Sequence, residues 1–174
     1  MDEPKVRWHV TMSLDGFIAG PDDEMDWLPR GGGVPELARH VIDTTGAILI
    51  GRRMYDKYAA GRVGGKEGIY GGAWQGPVLV LTRRPAPEDE EFGFVAGTIE
   101  DGVSAALNAA DGRGIVIFGA TLARLAFDAG LVDEVVVHIA PVLLGAGIRL
   151  PDGGRTYLEP LSGPADLHYR VAGR

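Results

Sequence analysis

The sequence predicts an α/β domain in three layers, with a mixed, mainly parallel sheet and helices on both of its faces. Two observations point there. Residues 114–147, GIVIFGATLARLAFDAGLVDEVVVHIAPVLLGAG, read as strand, helix and strand in close succession. The β-branched run 115–118 is too short for a helix, Gly119 ends it, and apolar positions then recur at helical spacing (Leu122, Leu125, Ala126, Ala129) up to Gly130, a left-handed cap. A second apolar run at 135–140 completes a βαβ unit, whose strands are expected to be parallel. The second observation is that short apolar runs at 48–50 and 78–81 also stop at a glycine or at Thr-Arg, as strands buried on both faces do.

In chain order, residues 6–12 form the first strand, which runs into a turn where Asp15 precedes Gly16. Asp15 is either a functional carboxylate beyond a strand end or an Asx-turn residue. Asp22, Asp23, Glu24 and Asp26 read as a solvated loop face, with Met25, Trp27 and Leu28 packing. After the flexible glycines at 31–33, Pro35 opens a helix with Leu37, Ala38, Val41 and Ile42 on one face. The strand at 48–50 ends at Gly51, and Arg52, Arg53, Met54 and Tyr55 begin a helix. That is a candidate anion site or simply a helix with two surface arginines. Residues 61–76 are glycine-rich and are expected to be mobile, as a lid over a site would be.

The strand at 78–81 ends in Thr82, Arg83 and Arg84, where guanidinium forks suit a phosphate monoester. An edge strand is expected at 92–95, and Thr98 with Asp101 forms a capping box opening a helix with Val103, Ala106, Leu107 and Ala110 inward. Gly119 with the amides of Ala120, Thr121 and Leu122 makes either a phosphate cradle at a helix start or only a tight turn. Runs near 157 and at 167–171 read as closing strands, the latter antiparallel. Three strand ends, at Gly51–Arg52, Thr82–Arg83 and Gly119, fit one long ligand with several phosphates better than three unrelated turns, and a phosphorylated dinucleotide is the natural candidate.

Composition narrows the classes. At 174 residues and 45% hydrophobic content, one domain over 1–174 with a full core is expected. With no cysteine there is no thiol nucleophile, disulfide or cysteine zinc site, and with no leader or long apolar span a cytoplasmic protein is expected. The charge of −7 argues against nucleic acid or membrane as partner. No serine lies in a G-x-S-x-G elbow, and His9, His40, His138 and His168 lack metal-ligand spacing, so core or surface roles are their default.

Five pieces, in order, carry a resemblance: SLDGFIA (13–19), GRRMYD (51–56), VLVLTRRP (78–85), FGATLARLAFDAGLVDEV (118–135) and APVLLGAG (140–147). The chain resembles the dihydrofolate reductase-like proteins, which include the C-terminal reductase domain of the riboflavin-biosynthesis deaminase/reductase. The resemblance implies that three-layer fold, NADPH as cofactor and a small-molecule substrate. It implies Gly51 and Arg52 on the pyrophosphate or adenosine side, Thr82 and Arg83 at the 2′-phosphate, and Gly119, Ala120, Thr121 and Leu122 around the pyrophosphate. It places Asp15 at the substrate and nicotinamide, orienting substrate or supplying a proton through water. Trp27, Tyr55 and Leu144 become pocket walls or structural residues, and pairing into a homodimer follows, with the apolar residues 141–144 as candidate interface. Where many relatives carry two glycines or Gly-Ser in the phosphate turn, this chain has Gly119-Ala120. The deaminase signature, His-x-Glu with Pro-Cys-x-x-Cys, is not in this sequence, so the implied activity is the reductase step: hydride transfer to a C=N or C=O carbon of the 5-amino-6-(5-phosphoribosylamino)uracil type. The alternatives are a pteridine reductase of the dihydrofolate type and a non-catalytic nucleotide or small-molecule binder.

Overall fold

The computed structural model describes residues 3–28, 35–61, 66–150, 157–159 and 161. In chain order these form β1 (Val6–Ser13), β2 (Phe17–Ala19), α1 (Glu36–Thr44), β3 (Thr45–Gly51), α2 (Arg52–Ala59), a 3₁₀ segment (Lys66–Gly72), β4 (Val78–Leu81), β5 (Phe92–Val95), α3 (Ile99–Ala109), β6 (Gly114–Phe118), α4 (Ala120–Asp128), β7 (Glu134–Ala140) and β8 (Ile148–Arg149). The main sheet has the order β5-β4-β3-β6-β1-β7, and every one of its pairings is parallel.

Residues 47–50 of β3, 78–81 of β4 and 115–118 of β6 are apolar throughout because both faces of these strands are covered. Alternation sorts their side chains: Ala47, Leu49, Leu79, Ile115 and Ile117 join the cluster under α3 and α4. Ile48, Ile50, Val78, Val80 and Val116 join the opposite cluster, closed by Val41 and Ile42 of α1, Tyr55 of α2, Ile69 and Trp74. Helices therefore lie on both faces. The helix ends follow local chemistry. Thr98 and Asp101 cap α3 reciprocally. At the end of α4, Gly130 adopts φ +66° while the Gly130 and Leu131 N–H groups donate to Phe127 and Ala126 carbonyls, a Schellman motif.

The strands β6 and β7 are parallel, as the βαβ unit requires, with β1 lying between them. The reason is visible in α4, whose Ala123 and Phe127 cover Trp8 of β1, the Trp8 and Phe127 rings meeting edge-on at 5.9 Å. Several expectations are corrected. Leu37 and Leu125 are exposed rather than inward. The helix α1 runs straight into β3 without a loop, the buried Thr45 hydroxyl donating to the Val41 carbonyl at 2.6 Å. In the glycine-rich stretch, residues 66–76 are not a lid: Ile69 and Trp74 are buried, and Trp74 Nε1 donates to the Thr45 carbonyl at 2.9 Å. Residues 62–65 of that stretch and the glycines at 31–33 lie outside the described residues. The mainly parallel architecture with helices on both faces is as expected: among the described residues the main sheet is wholly parallel, and antiparallel pairing occurs only in the small β2–β8 ribbon. Residues 157–159 form no strand, and 167–171 lie outside the described residues. Among the described residues no helix is long and apolar enough to cross a membrane.

The packing predicts a ranking of mutational costs. Ile117→Ala, at a fully buried position, should lower unfolding free energy by about 3 kcal/mol. Thr98→Ala, which removes the α3 cap, should cost about 1 kcal/mol. Urea titration of both variants checks the order.

Candidate functional site

In a parallel sheet all carboxyl ends lie at one edge, and ligands collect there. The strand order makes β4, β3 and β6 consecutive neighbours, so the three ends singled out in the sequence stand side by side. Gly51 is the N-cap of α2 and Gly119 the N-cap of α4, and neither helix start has a side-chain cap. Two sets of helix-start amides, those of Ala120, Thr121 and Leu122 among them, thus open beside each other with no capping side chain to occupy them. The two starts are close: a Cβ on Gly51 would stand 3.5 Å from Leu122 Cγ. Gly119 itself has φ +96°, and a Cβ built on it meets nothing within 4 Å, so there is open space above it.

That space is bounded by a stagger. Pairing of β1 with β6 stops at Trp8 with Ile117, whereas pairing of β1 with β7 continues to Ser13 with Ala140. Phe118 ends β6 level with His9, so residues 10–13 rise above it, roughly 13 Å of strand. The result is a notch above Gly119 with one edge of β1 free of strand pairing.

Around the notch the cations divide into held and free. Asp56 accepts from Arg52 Nε at 2.8 Å and from Arg84 Nη2 at 2.5 Å, and these bonds hold its carboxyl below the ordinary range. Arg52 also donates to the Pro85 carbonyl at 3.0 Å and lies over the Tyr55 ring. Arg53 and Lys57 both bind Asp23. Arg83 is exposed and has no protein partner among the described residues. Thr82 is buried, and its hydroxyl accepts the Arg84 N–H at 3.1 Å, so its side chain shapes the turn that carries Arg83 and does not open toward a ligand.

On the other side of the notch, Ser13, fully buried, donates to Asp15 Oδ1 at 2.6 Å and accepts the Phe17 N–H at 2.9 Å. Asp15 further accepts the Leu144 N–H at 3.1 Å and the Gly145 N–H at 2.8 Å, while Leu14 N–H donates to the Val142 carbonyl at 2.9 Å. The Ser13 hydroxyl first, and then the Gly145 and Leu144 amides, bring the Asp15 carboxyl down to about 2 against the opposing pull of desolvation. A carboxylate so held is ionised at any working pH, so the geometry supports a clamp on the 144–145 loop and gives no support to proton supply by Asp15. Leu144 is half-buried beside it. Tyr55 is no pocket wall: it is buried between Phe92 and Phe94, its hydroxyl donating to Asp89 at 2.9 Å. Trp27 is half-buried in the loop after β2, donating to the Glu24 carbonyl at 3.1 Å, and no described contact brings it to the other candidates.

A row of groups that sequence reasoning left as core or surface lies on the α1 face of β1 and β7. His9 Nδ1 is 2.7 Å from the Tyr70 hydroxyl, and His9 Nε2 is 2.9 Å from His138 Nε2. Below them Arg7 Nε donates to Glu134 at 2.6 Å and Arg7 Nη1 to the Thr44 hydroxyl at 3.0 Å. Burial first, then His138 and Arg7, bring His9 down to about 4; burial also lowers His138 and raises Tyr70. The signal was present in RWHVTMS, where Arg7, His9, Thr11 and Ser13 alternate with apolar residues in a strand that has to be covered on both faces.

Two outcomes follow. His9 has a folded pKa below its unfolded value of about 6.5, so its contribution to stability is present above that value and lost as pH falls toward 4. Unfolding free energy should therefore drop over this window, and His9→Gln should flatten the dependence in denaturant titrations at stepped pH. For the clamp, Asp15→Ala should speed amide exchange at Leu144 and Gly145 by about tenfold or more, read by NMR.

Comparison with known proteins identifies the family and the fold. A family model for the RibD C-terminal domain matches residues 4–159. No curated protein matches the chain. Among solved structures, a protein assigned to riboflavin biosynthesis from Shewanella sp. PV-4 superposes with a TM-score of 0.70 at 23% identity, covering 89% of this chain and 87% of its own. Dihydrofolate reductase from Enterococcus faecalis, complexed with NADP(H), gives 0.55 at 16% identity, with 85% of this chain and 77% of its own covered. The diaminohydroxyphosphoribosylaminopyrimidine deaminase/5-amino-6-(5-phosphoribosylamino)uracil reductase of Thermotoga maritima gives 0.59 at 18% identity over 93% of this chain, which spans 51% of that longer protein. At these identities the superpositions establish the fold; the family match covers most of the chain, and the chain belongs to the RibD C-terminal domain family, with a dihydrofolate reductase-like fold.

Proposed function

We infer that this domain is an NADPH-dependent reductase acting on a small nitrogen heterocycle, of the 5-amino-6-(5-phosphoribosylamino)uracil reductase type. The observation that carries the reading is the pair of glycine-led helix starts, Gly51 and Gly119, uncapped and adjacent at the carboxyl edge of the sheet. Their amides suit the two phosphates of one pyrophosphate better than two separate ligands. A third anion partner stands one strand further on, where Arg83 is the guanidinium not already committed to a carboxylate, in contrast to Arg52 and Arg84. That order of groups along the sheet edge suits a 2′-phosphorylated adenosine at β4 and a pyrophosphate between α2 and α4.

Residues of β1 beside the notch above Gly119 would hold the other end of the cofactor. When bound, the cofactor supplies a hydride that forms the new C–H bond at the substrate carbon, while the π pair moves to nitrogen or oxygen and takes its proton from water. The chain contributes position: Asp15 fixes the 144–145 loop as a wall, and Arg52, tied to Asp56, keeps the α2 start in place. The family of the domain supports the riboflavin-type substrate over a pteridine.

Titration of the protein with NADPH and with NADH, followed through Trp8, Trp27 and Trp74 fluorescence, tests the reading. NADPH should bind more tightly. Arg83→Ala should weaken NADPH by about tenfold to a hundredfold, the worth of one charged hydrogen bond, and leave NADH almost unchanged. Equal losses would remove the 2′-phosphate assignment, and no binding of either nucleotide to the wild type would sink the reductase reading.

A further inference from the structure

The polar row on the α1 face has a place in the site that the cofactor assignment leaves unused. Because β6 stops at Phe118, the side chains of β1 just above that level border the notch, and those of β7 stand behind them, one strand further on. Thr11 pairs with His138 across the two strands, and both are half-buried, whereas His9 and Ser13 are buried and already engaged. Thr11 and His138 are thus the hydrogen-bonding groups of this row with surface left for a ligand. Tyr70 closes the far side, stacked on His9 at 5.4 Å and edge-on to Phe118 at 5.6 Å.

We propose that His138 meets the polar ring edge of the substrate heterocycle, and that His9 and Tyr70 are positioning residues that fix which nitrogen of His138 carries the proton. This rests on the reductase reading only for the identity of the heterocycle. The direction of the chain follows from acidity. A phenol is a stronger acid than a neutral imidazole N–H, and imidazole nitrogen is the better acceptor, so Tyr70 O–H donates to His9 Nδ1. His9 then carries its proton on Nε2 and donates to His138 Nε2, which leaves Nδ1–H of His138 as a fixed donor.

Burial keeps both rings neutral near pH 7, and Arg7 beside His9 works in the same direction. The Nε2 to Nε2 contact itself requires one nitrogen to be unprotonated, so the two rings cannot both be cations while it persists. A neutral, oriented imidazole N–H suits a carbonyl or ring nitrogen that gains negative charge as hydride adds. The left-handed backbone at Tyr70, φ +54°, is an uncommon conformation for a tyrosine, and it brings the hydroxyl to His9.

The test has a spectroscopic arm and a binding arm. In the free protein, ¹⁵N NMR of the histidine rings should show His138 protonated on Nδ1, and Tyr70→Phe should turn this into a mixture of tautomers. With 5,6-diaminouracil, the ring of the proposed substrate, as probe, His138→Leu should weaken binding about tenfold. His138→Asn, which keeps a donor near the Nδ1 position, should restore most of it, and Tyr70→Phe should weaken the probe while leaving NADPH affinity unchanged. Unaltered tautomers in Tyr70→Phe, wild-type probe affinity in His138→Leu, or a wild type that binds no probe would each overturn the proposal. A wild type that binds the probe through His138 but no NADPH would instead overturn the reductase reading and leave this one standing.

Discussion

The break in pairing between β1 and β6 is the constraint on which the rest of the site depends. All six strands of the main sheet run the same way, so every helix start and every strand end that could contact a ligand is delivered to one edge. An even edge would offer only a row of turns. Because β6 ends at Phe118 while β1 and β7 continue to Ser13 and Ala140, that edge acquires a recess with backbone on one side and open space above Gly119. The glycine N-caps at Gly51 and Gly119 gain their chemical value from this setting. The same uncapped amides on the far side of the molecule would simply be hydrated.

A projecting pair of strands has to be held, and the Ser13–Asp15 turn does this. One carboxylate accepts a hydroxyl from its own turn and two amides from the loop after β7, so the ends of β1 and β7 are fastened to one another above the point where the sheet support stops. Arg149 adds a bond from β8 to the Asp15 carbonyl at 3.2 Å and lies over the Phe17 ring. The SLDG and PVLLG sequence pieces, 125 or so positions apart in the chain, are thus two halves of one local structure. A role in preorganisation accounts for Asp15 without asking it to carry a proton.

Much of this was legible in the sequence because it is governed by local rules. A glycine after a β-branched run, a Thr-x-x-Asp box and a left-handed cap at Gly130 each act within a few residues, and each is where the pattern placed it. The strand ends at Gly51, Thr82 and Gly119 could be listed from sequence, but their adjacency could not, since strand order is a tertiary property; β1 between β6 and β7 shows this plainly. Tyr55 was left open between pocket wall and structural residue, and Thr82 was assigned to the ligand, for the same reason. A tyrosine one turn from an arginine-bearing helix start looks like a pocket wall until Phe92 and Phe94 from a strand two places away enclose it. Glycine content misled at residues 66–76, where Ile69 and Trp74 supply the burial that fixes the backbone.

The histidine row was hidden by a different circumstance: its partners come from three distant segments. Taken singly, His9 in a strand is a core residue with a satisfied nitrogen, which is the commonest state of a buried polar group. Stability does not account for the whole row. A part-buried ion pair such as Arg7 with Glu134 gains little over well-packed apolar residues of the same volume. Placing two imidazoles and a phenol beside it adds desolvation, which lowers the pKa of His9 and raises that of Tyr70. Apolar residues serve the adjacent strands β3 and β6 on this same face at Ile48, Ile50 and Val116, so nothing in the layer architecture demands polarity under β1. Polarity is confined to β1, which borders the notch, and to β7, its partner on the other side. A cost that is borne only there, next to the place where ligand chemistry is concentrated, points to selection for the ligand and not for the fold.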